Sequence, residues 1–118
     1  MSQLIFVYGS LKRGYALHSL LHNQLYLGNA VSAPLYRIFD LGNYPGLISC
    51  ADGLAIQGEV YRVDPAALHR LDEAEGVADA LYARREIQLQ SNFPAENVHA
   101  WFWQGDVSGK VDCGVQWP

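Results

Sequence analysis

Three carboxylates, Asp72, Glu73 and Glu75, crowd the stretch Leu71-Asp72-Glu73-Ala74-Glu75-Gly76-Val77, where the residue pattern predicts the end of a helix. Asp64-Pro65 opens that helix, because Asp can accept the free amides of a first turn and Pro fits its first position. Leu68 and Leu71 share one face, and Gly76, which can adopt the left-handed conformation, stops it. A helix C-terminus carries partial negative charge, so a carboxylate there is disfavoured by about 0.3–1 kcal/mol, and three also repel one another. The least hydrated of them therefore holds its proton to a higher pH than usual. A carboxyl that exchanges protons near neutrality is what general acid–base chemistry requires. The plainer reading is a solvated acidic helix end. The residues alone do not choose among the three.

A second group is Tyr8-Gly9-Ser10-Leu11. Glycine at the end of a strand lets successive backbone N–H groups converge on an anion, either a carboxylate or a developing oxyanion. An ordinary Gly-Ser turn accounts for the same residues. No Walker spacing or dinucleotide glycine pattern is present, so this is not a phosphate loop. Tyr8 and Tyr82 flank the two candidate sites and carry hydroxyl groups that could serve there. His18 and His22 have the i, i+4 spacing of a metal pair but lack the acidic residue of a zincin, and a surface histidine pair is the simpler reading. His69 and His99 adjoin no recognisable nucleophile motif. Cys50 and Cys113 have no Cys-x-x-Cys spacing and read as free thiols.

The elements that must position these groups follow from the pattern of the chain. Residues 3–8 form an apolar run suited to a strand buried on both faces. A glycine-bounded loop follows, then a short helix carrying Leu17, Leu20 and Leu21. Strands are predicted over 25–31, 35–40 and 55–63, with Pro45-Gly46 as a tight bend and Gly58 as a bulge or a close backbone approach. After the helix that begins at Asp64, residues 81–90 alternate as a half-buried strand with Tyr82 and Arg84 on one side. Residues 91–94 read as a turn. Residues 98–104 are a last strand with Trp101 and Trp103 on one face, and 105–114 a polar loop. Short, largely antiparallel strands with two short helices imply an α+β fold, a curled sheet or small mixed β-barrel, in a single domain over 1–118.

Of the 118 residues, 50% are apolar and the net charge is −4. That suffices for one core without metal or disulfide support and leaves no basic footprint for nucleic acid. No apolar run has the length of a membrane span, and the N-terminus lacks the basic segment of a signal peptide. The expected setting is cytoplasmic, with neither nucleic acid nor membrane as a partner.

Several motifs in order resemble the γ-glutamylcyclotransferase-like (AIG2-like) family, which includes the γ-glutamylamine cyclotransferases and relatives of the butirosin-pathway cyclotransferase. They are Val7-Tyr8-Gly9-Ser10-Leu11-Lys12 with Gly14, Leu35-Tyr36 leading to Leu41-Gly42-Asn43-Tyr44-Pro45-Gly46, and Gly58-Glu59-Val60-Tyr61. Leu71 to Val77 as quoted above, Tyr82-Ala83-Arg84 and Gly114-Val115-Gln116-Trp117 complete the set. The resemblance implies a compact mixed fold on a small β-barrel and a reaction that closes a γ-glutamyl group to 5-oxoproline. No cofactor and no metal are implied. By the same resemblance Glu75, of the Glu-Gly pair, is the acid/base residue. Tyr8, Gly9, Ser10 and Leu11 bind substrate, as does Tyr82, while Asp72 and Glu73 have no assigned role. Tyr15-Ala16-Leu17-His18 is less polar than in many members and the turn at 49–53 is short, departures that bear on the choice of substrate.

The chemistry can be stated independently. Lactam formation needs the α-amino group to attack the γ-carbonyl, and an ammonium has no lone pair, so a base must first take its proton. Two other readings fit the same residues: a carboxylate- or γ-glutamyl-binding module without turnover, and hydrolysis by water, for which no activated nucleophile or metal motif is evident.

Overall fold

The computed structural model describes residues 2–15, 17–90 and 97–117. The predicted turn at 91–94 lies outside them. β1 (Gln3–Val7) is flanked on both sides, antiparallel to β5 (Gln57–Val63) and parallel to β7 (Val98–Trp103). β2 (Leu25–Val31) and β6 (Tyr82–Glu86) close the two ends of this five-stranded sheet, whose order is β2-β5-β1-β7-β6. A second sheet has the order β4-β3-β8, from Pro45–Ser49, Tyr36–Asp40 and Val111–Asp112. Bridges Ser32↔Leu89 and Tyr36↔Leu54 lie outside the named strands. The result is the expected mixed α+β fold, but the barrel is not closed, because the two sheets share no strand.

Alternation along β1 divides the interior. Leu4, Phe6 and Tyr8 enter one core cluster with Ile38, Leu47, Val60 and Phe102. Ile5 and Val7 enter another with Leu21, Ala67, Leu71, Tyr82 and Trp101. A period of two with both parities apolar produces this two-sided burial. The second cluster lies under α1 (Pro65–Ala74), which starts as predicted: Asp64 Oδ1 accepts from the Ala67 amide at 2.7 Å, and Pro65 takes the first turn. Glu75 caps the C-terminal end, and Gly76 follows with φ 67°.

Several expectations need correction. Pro45-Gly46 is not a bend but the start of β4. The turn lies just before it, closed by Leu41 N–H donating to the Tyr44 carbonyl. Proline is tolerated there because a first strand residue can do without a ladder donor. The first helix is a four-residue 3-10 segment, His18–Leu21, leaving α1 as the α-helix among the described residues. The strand predicted over 81–90 ends at Glu86; Ile87 N–H still donates to the Val98 carbonyl at 2.8 Å, and Leu89 then bridges to Ser32. The polar loop at 105–114 contains β8. The bulge falls in β2, between Tyr26 and Gly28, rather than at Gly58.

The other reading of Gly58, a close backbone approach, holds: a Cβ there would sit 2.5 Å from the Val7 carbonyl oxygen and 2.6 Å from Phe6 Cζ. The obstructing oxygen belongs to the central strand and cannot swing away. Gly58→Ala is expected to destabilise the fold by about 1–3 kcal/mol, the usual range for overpacking, read as a lowered denaturant midpoint.

Candidate active site

Five segments converge on one cleft: the end of β1 with the loop Tyr8 to Leu11, the turn residue Tyr44 with Pro45, the C-terminal end of α1 with Glu75, β6 with Tyr82, and β7 with Trp101. All six residues singled out as candidates, Tyr8, Gly9, Ser10, Leu11, Glu75 and Tyr82, line it. The cleft is narrow. Its cavity volume of about 20 Å³ holds little more than one water.

The loop is shaped by a turn in which Lys12 N–H donates to the Gly9 carbonyl at 2.9 Å. Pro45 packs on Gly9 so closely that a Cβ would meet the proline Cγ at 2.5 Å. Among the described residues no acceptor takes the amides of Ser10 and Leu11. They are donors available to an anion in the cleft.

The two tyrosines are held differently from a simple proton donor. The Tyr8 hydroxyl donates to the Trp101 carbonyl at 2.7 Å, and the Tyr82 hydroxyl to the Pro45 carbonyl at 2.7 Å. Burial above all, then the neighbouring phenol or carboxyl, pushes both hydroxyls well above the usual tyrosine range. Their protons stay on and point at backbone. What remains for a ligand is the acceptor capacity of each oxygen.

The three carboxylates of the helix end have three different surroundings. Glu73 is exposed and sits 2.6 Å from His69 Nε2, one turn back on the helix. Asp72 Oδ1 accepts from Trp101 Nε1 at 2.9 Å and from Arg84 Nε at 3.0 Å. Glu75 enters the cleft half-buried, and burial first, then the nearby Asp72 charge, push its carboxyl up to about 7. Asp72 was given no role by the sequence. Its part as anchor depends on a tryptophan and an arginine remote in the chain, although Arg84 had been placed on the same side as Tyr82. Tyr44, exposed at the rim, and Pro45 also line the cleft; both lie within a quoted motif that by itself assigns them no site role.

The histidine pair does not form a metal site. His18 Nδ1 lies 3.0 Å from the Leu11 carbonyl, and His22 ends the 3-10 helix, whose tighter winding aligns i with i+3 rather than i+4. Among the described residues no group of three His, Cys, Asp or Glu side chains is placed to hold a metal. No helix there is long and apolar enough to cross a membrane.

Comparison with known proteins shows what the chain is similar to. The family model described as γ-glutamyl cyclotransferase, AIG2-like, matches residues 5–116. A Vibrio cholerae protein provisionally named a γ-glutamylcyclotransferase is 42% identical over 77 residues, 65% of this chain and 65% of that protein's own length. The Escherichia coli K12 γ-glutamylcyclotransferase family protein YtfP is 40% identical over 105 residues, 89% of this chain and 86% of its own. The crystal structure of a mouse AIG2-like protein superposes with a TM-score of 0.70 at 26% identity, covering 88% of this chain and 77% of the mouse chain.

The raised Glu75 carboxyl makes a stability prediction. The folded chain keeps the proton to about pH 7, whereas the unfolded chain releases it near 4.5. Stability from this group is therefore complete below the lower value and lost as pH rises through the upper one. At about 1.4 kcal/mol per pH unit, discounted for partial exposure, the loss is roughly 2–3 kcal/mol. Glu75→Gln has no charge to bury, so it should be the more stable protein at about pH 8 and equal to the native chain at about pH 4 in denaturant titrations.

Proposed function

The chain belongs to the AIG2-like γ-glutamyl cyclotransferase family, and on that premise we propose that it converts a γ-glutamyl amine or γ-glutamyl amino acid to 5-oxoproline and a free amine, with Glu75 as general acid and base. The supporting observation is one cleft that brings together a proton-exchanging carboxyl and the unoccupied amides of Ser10 and Leu11.

The steps balance without water or a cofactor. The Glu75 carboxylate takes a proton from the substrate's α-ammonium, and the freed amine attacks the γ-carbonyl carbon. The resulting tetrahedral oxyanion collapses as Glu75 gives its proton to the leaving nitrogen and the bond to that nitrogen breaks; the regenerated carboxylate then takes the second proton from the ring nitrogen and passes it to the released amine, which departs as an ammonium. A carboxyl poised near 7 serves each of these transfers. Tyr8 and Tyr82, their own protons directed at backbone carbonyls, present oxygens that accept from the ammonium before it is deprotonated. The loop amides receive negative charge, as the substrate's α-carboxylate or as the oxyanion. In acyl transfer a donor aimed at an oxyanion is worth about 3–4 kcal/mol. Cys50 and Cys113 are free thiols, which suits the reducing cytoplasm where we place the reaction.

Incubation with a panel of γ-glutamyl amines, γ-glutamyl amino acids and glutathione should yield 5-oxoproline. Glu75→Gln should lower kcat/KM by about 10²- to 10⁴-fold with the fold intact. Undiminished turnover in that variant would sink the assignment, and glutamate in place of 5-oxoproline would identify hydrolysis.

The pH profile gives a second check. Because the base must be ionised to accept the ammonium proton, kcat/KM should climb with pH through about 7. Asp72→Asn removes a negative neighbour and leaves the Arg84 charge uncompensated, both of which favour the ionised form of Glu75. The acid limb should then move to lower pH. A limb that stays in place would mean that Asp72 does not tune the carboxyl.

A further inference from the structure

The cleft that holds Glu75 has a cavity volume of only about 20 Å³, whereas a neighbouring one has about 430 Å³ and is lined by Lys12, Tyr15, Asn29, Gln57, Gly58, Glu59 and Gln116 among others. One turn separates them. Leu11 lines the first and Lys12 the second, and Val7 of the first pairs across β1 and β5 with Glu59 of the second. A substrate whose glutamyl end fills the narrow cleft has its leaving group to place, and the wide cleft is adjacent.

The lining of the wide cleft indicates what it would receive. Lys12 is a buried lysine with 8% of its surface exposed, a costly condition for an ammonium unless its environment is arranged for it. Its Nζ donates to the Trp117 carbonyl at 3.1 Å and lies 4.7 Å from the centre of the Tyr15 ring. Among the described residues no carboxylate is within ion-pairing distance of it. The acid of this cleft, Glu59, is committed elsewhere: its Oε1 accepts from the Arg13 amide at 3.1 Å and the Tyr61 hydroxyl at 2.9 Å, and Arg13 Nε approaches Oε2 at 3.6 Å. Asn29 Oδ1 accepts from the Tyr26 hydroxyl at 2.7 Å, which leaves the carboxamide nitrogen as a donor. Gln57 and Gln116 add two further carboxamides. Burial lowers the Lys12 ammonium from its ordinary value, and the Glu59 charge opposes that effect. An incoming anion would restore the balance.

We propose that the wide cleft is the leaving-group subsite and that Lys12 binds a carboxylate there, so that the chain acts on γ-glutamyl amino acids in preference to γ-glutamyl amines. This rests on the cyclotransferase reading above. Lys12 is a specificity residue in this scheme and takes no part in proton transfer.

The test uses two substrates that differ only by the carboxylate, γ-glutamylglycine and γ-glutamylmethylamide, with the native chain, Lys12→Met and Lys12→Arg. A charge-assisted hydrogen bond corresponds to a preference on the order of tenfold or more. The native chain should favour the glycine conjugate by that ratio in kcat/KM, Lys12→Met should bring the ratio close to one, and Lys12→Arg should keep part of it. A native chain that does not discriminate overturns the proposal even if the variants fail to fold. Equal loss on both substrates in Lys12→Met also overturns it, since Lys12 would then be supporting the loop or holding the glutamyl end. Calorimetric binding of the same two compounds to Glu75→Gln, with and without Lys12→Met, separates the two levels of inference. Binding that depends on Lys12 and on the glycine carboxylate, without turnover by the native chain, strikes the reaction and leaves the subsite. Turnover without discrimination strikes the subsite and leaves the reaction, and neither binding nor turnover strikes both.

Discussion

The last turn of α1 is held against the sheet by one carboxylate oxygen, Asp72 Oδ1, which accepts from both Trp101 Nε1 and Arg84 Nε. Trp101 is 1% exposed, so its indole N–H has no water to turn to and needs this acceptor. The same residue's carbonyl receives the Tyr8 hydroxyl, so the end of β1, the middle of β7 and the end of α1 are joined through it. Arg84 also offsets the negative charge at a helix terminus that already disfavours carboxylates. With Asp72 anchored, Glu75 three residues on is carried into the cleft rather than into solvent. Glu73, lacking such a partner in the sheet, faces outward beside His69.

Much of this was legible in the chain because it is local. The cap at Asp64, the stop at Gly76 and the two-sided burial of β1 each depend on residues within one turn or one strand. Identifying Glu75 among three carboxylates needed the resemblance, because local spacing treats the three alike. What separates them is a contact between Asp72 and residues 12 and 29 positions away. Pro45 was misread for a related reason: Pro-Gly signals a bend, and only the pairing of Asp40 with Pro45 shows that the turn has finished by then. The alternation over 81–90 correctly puts Ile87 and Leu89 on the face opposite Tyr82, but it does not reveal that Leu89 bridges to Ser32 rather than continuing along β7.

The structure also separates two uses of the tyrosine hydroxyl that composition cannot. Tyr8 and Tyr82 each give their proton to a backbone carbonyl across the cleft. The bonds stitch β1 to β7 and β6 to β4, so the walls of the site are set by the same groups that line it. Anchored hydroxyls present oxygen lone pairs in fixed positions, which favours a cationic group and gives little to an anion. The amides of Ser10 and Leu11 do the opposite. A narrow cleft lined by both acceptors and donors suits the zwitterionic α-amino acid head of the proposed substrate more closely than a neutral ligand.

That polarity bears on the unequal size of the two clefts. Under the proposed reaction, a site that fits only the glutamyl head would fix the reacting nitrogen and the γ-carbonyl while making few demands on the remainder of the substrate, and holding reacting atoms close is itself a large part of catalysis in a ring closure. Discrimination between leaving groups then falls to surfaces beyond the turn, where Lys12, Tyr15 and the segment ending at Trp117 meet. The residues of the wide cleft lie outside the Glu75 pocket. Apart from Gly58, which packs on Val7 and Phe6 of the Glu75 pocket, their side chains make no hydrogen bond, among the described residues, to Asp72, Trp101 or Tyr8. The departure noted from the sequence, the less polar run Tyr15-Ala16-Leu17-His18, begins at a residue of this second cleft. On the proposed reading, physical separation of the proton-transfer site from the leaving-group surface would let one fold keep a single cyclisation chemistry while the amine it releases is chosen a turn away.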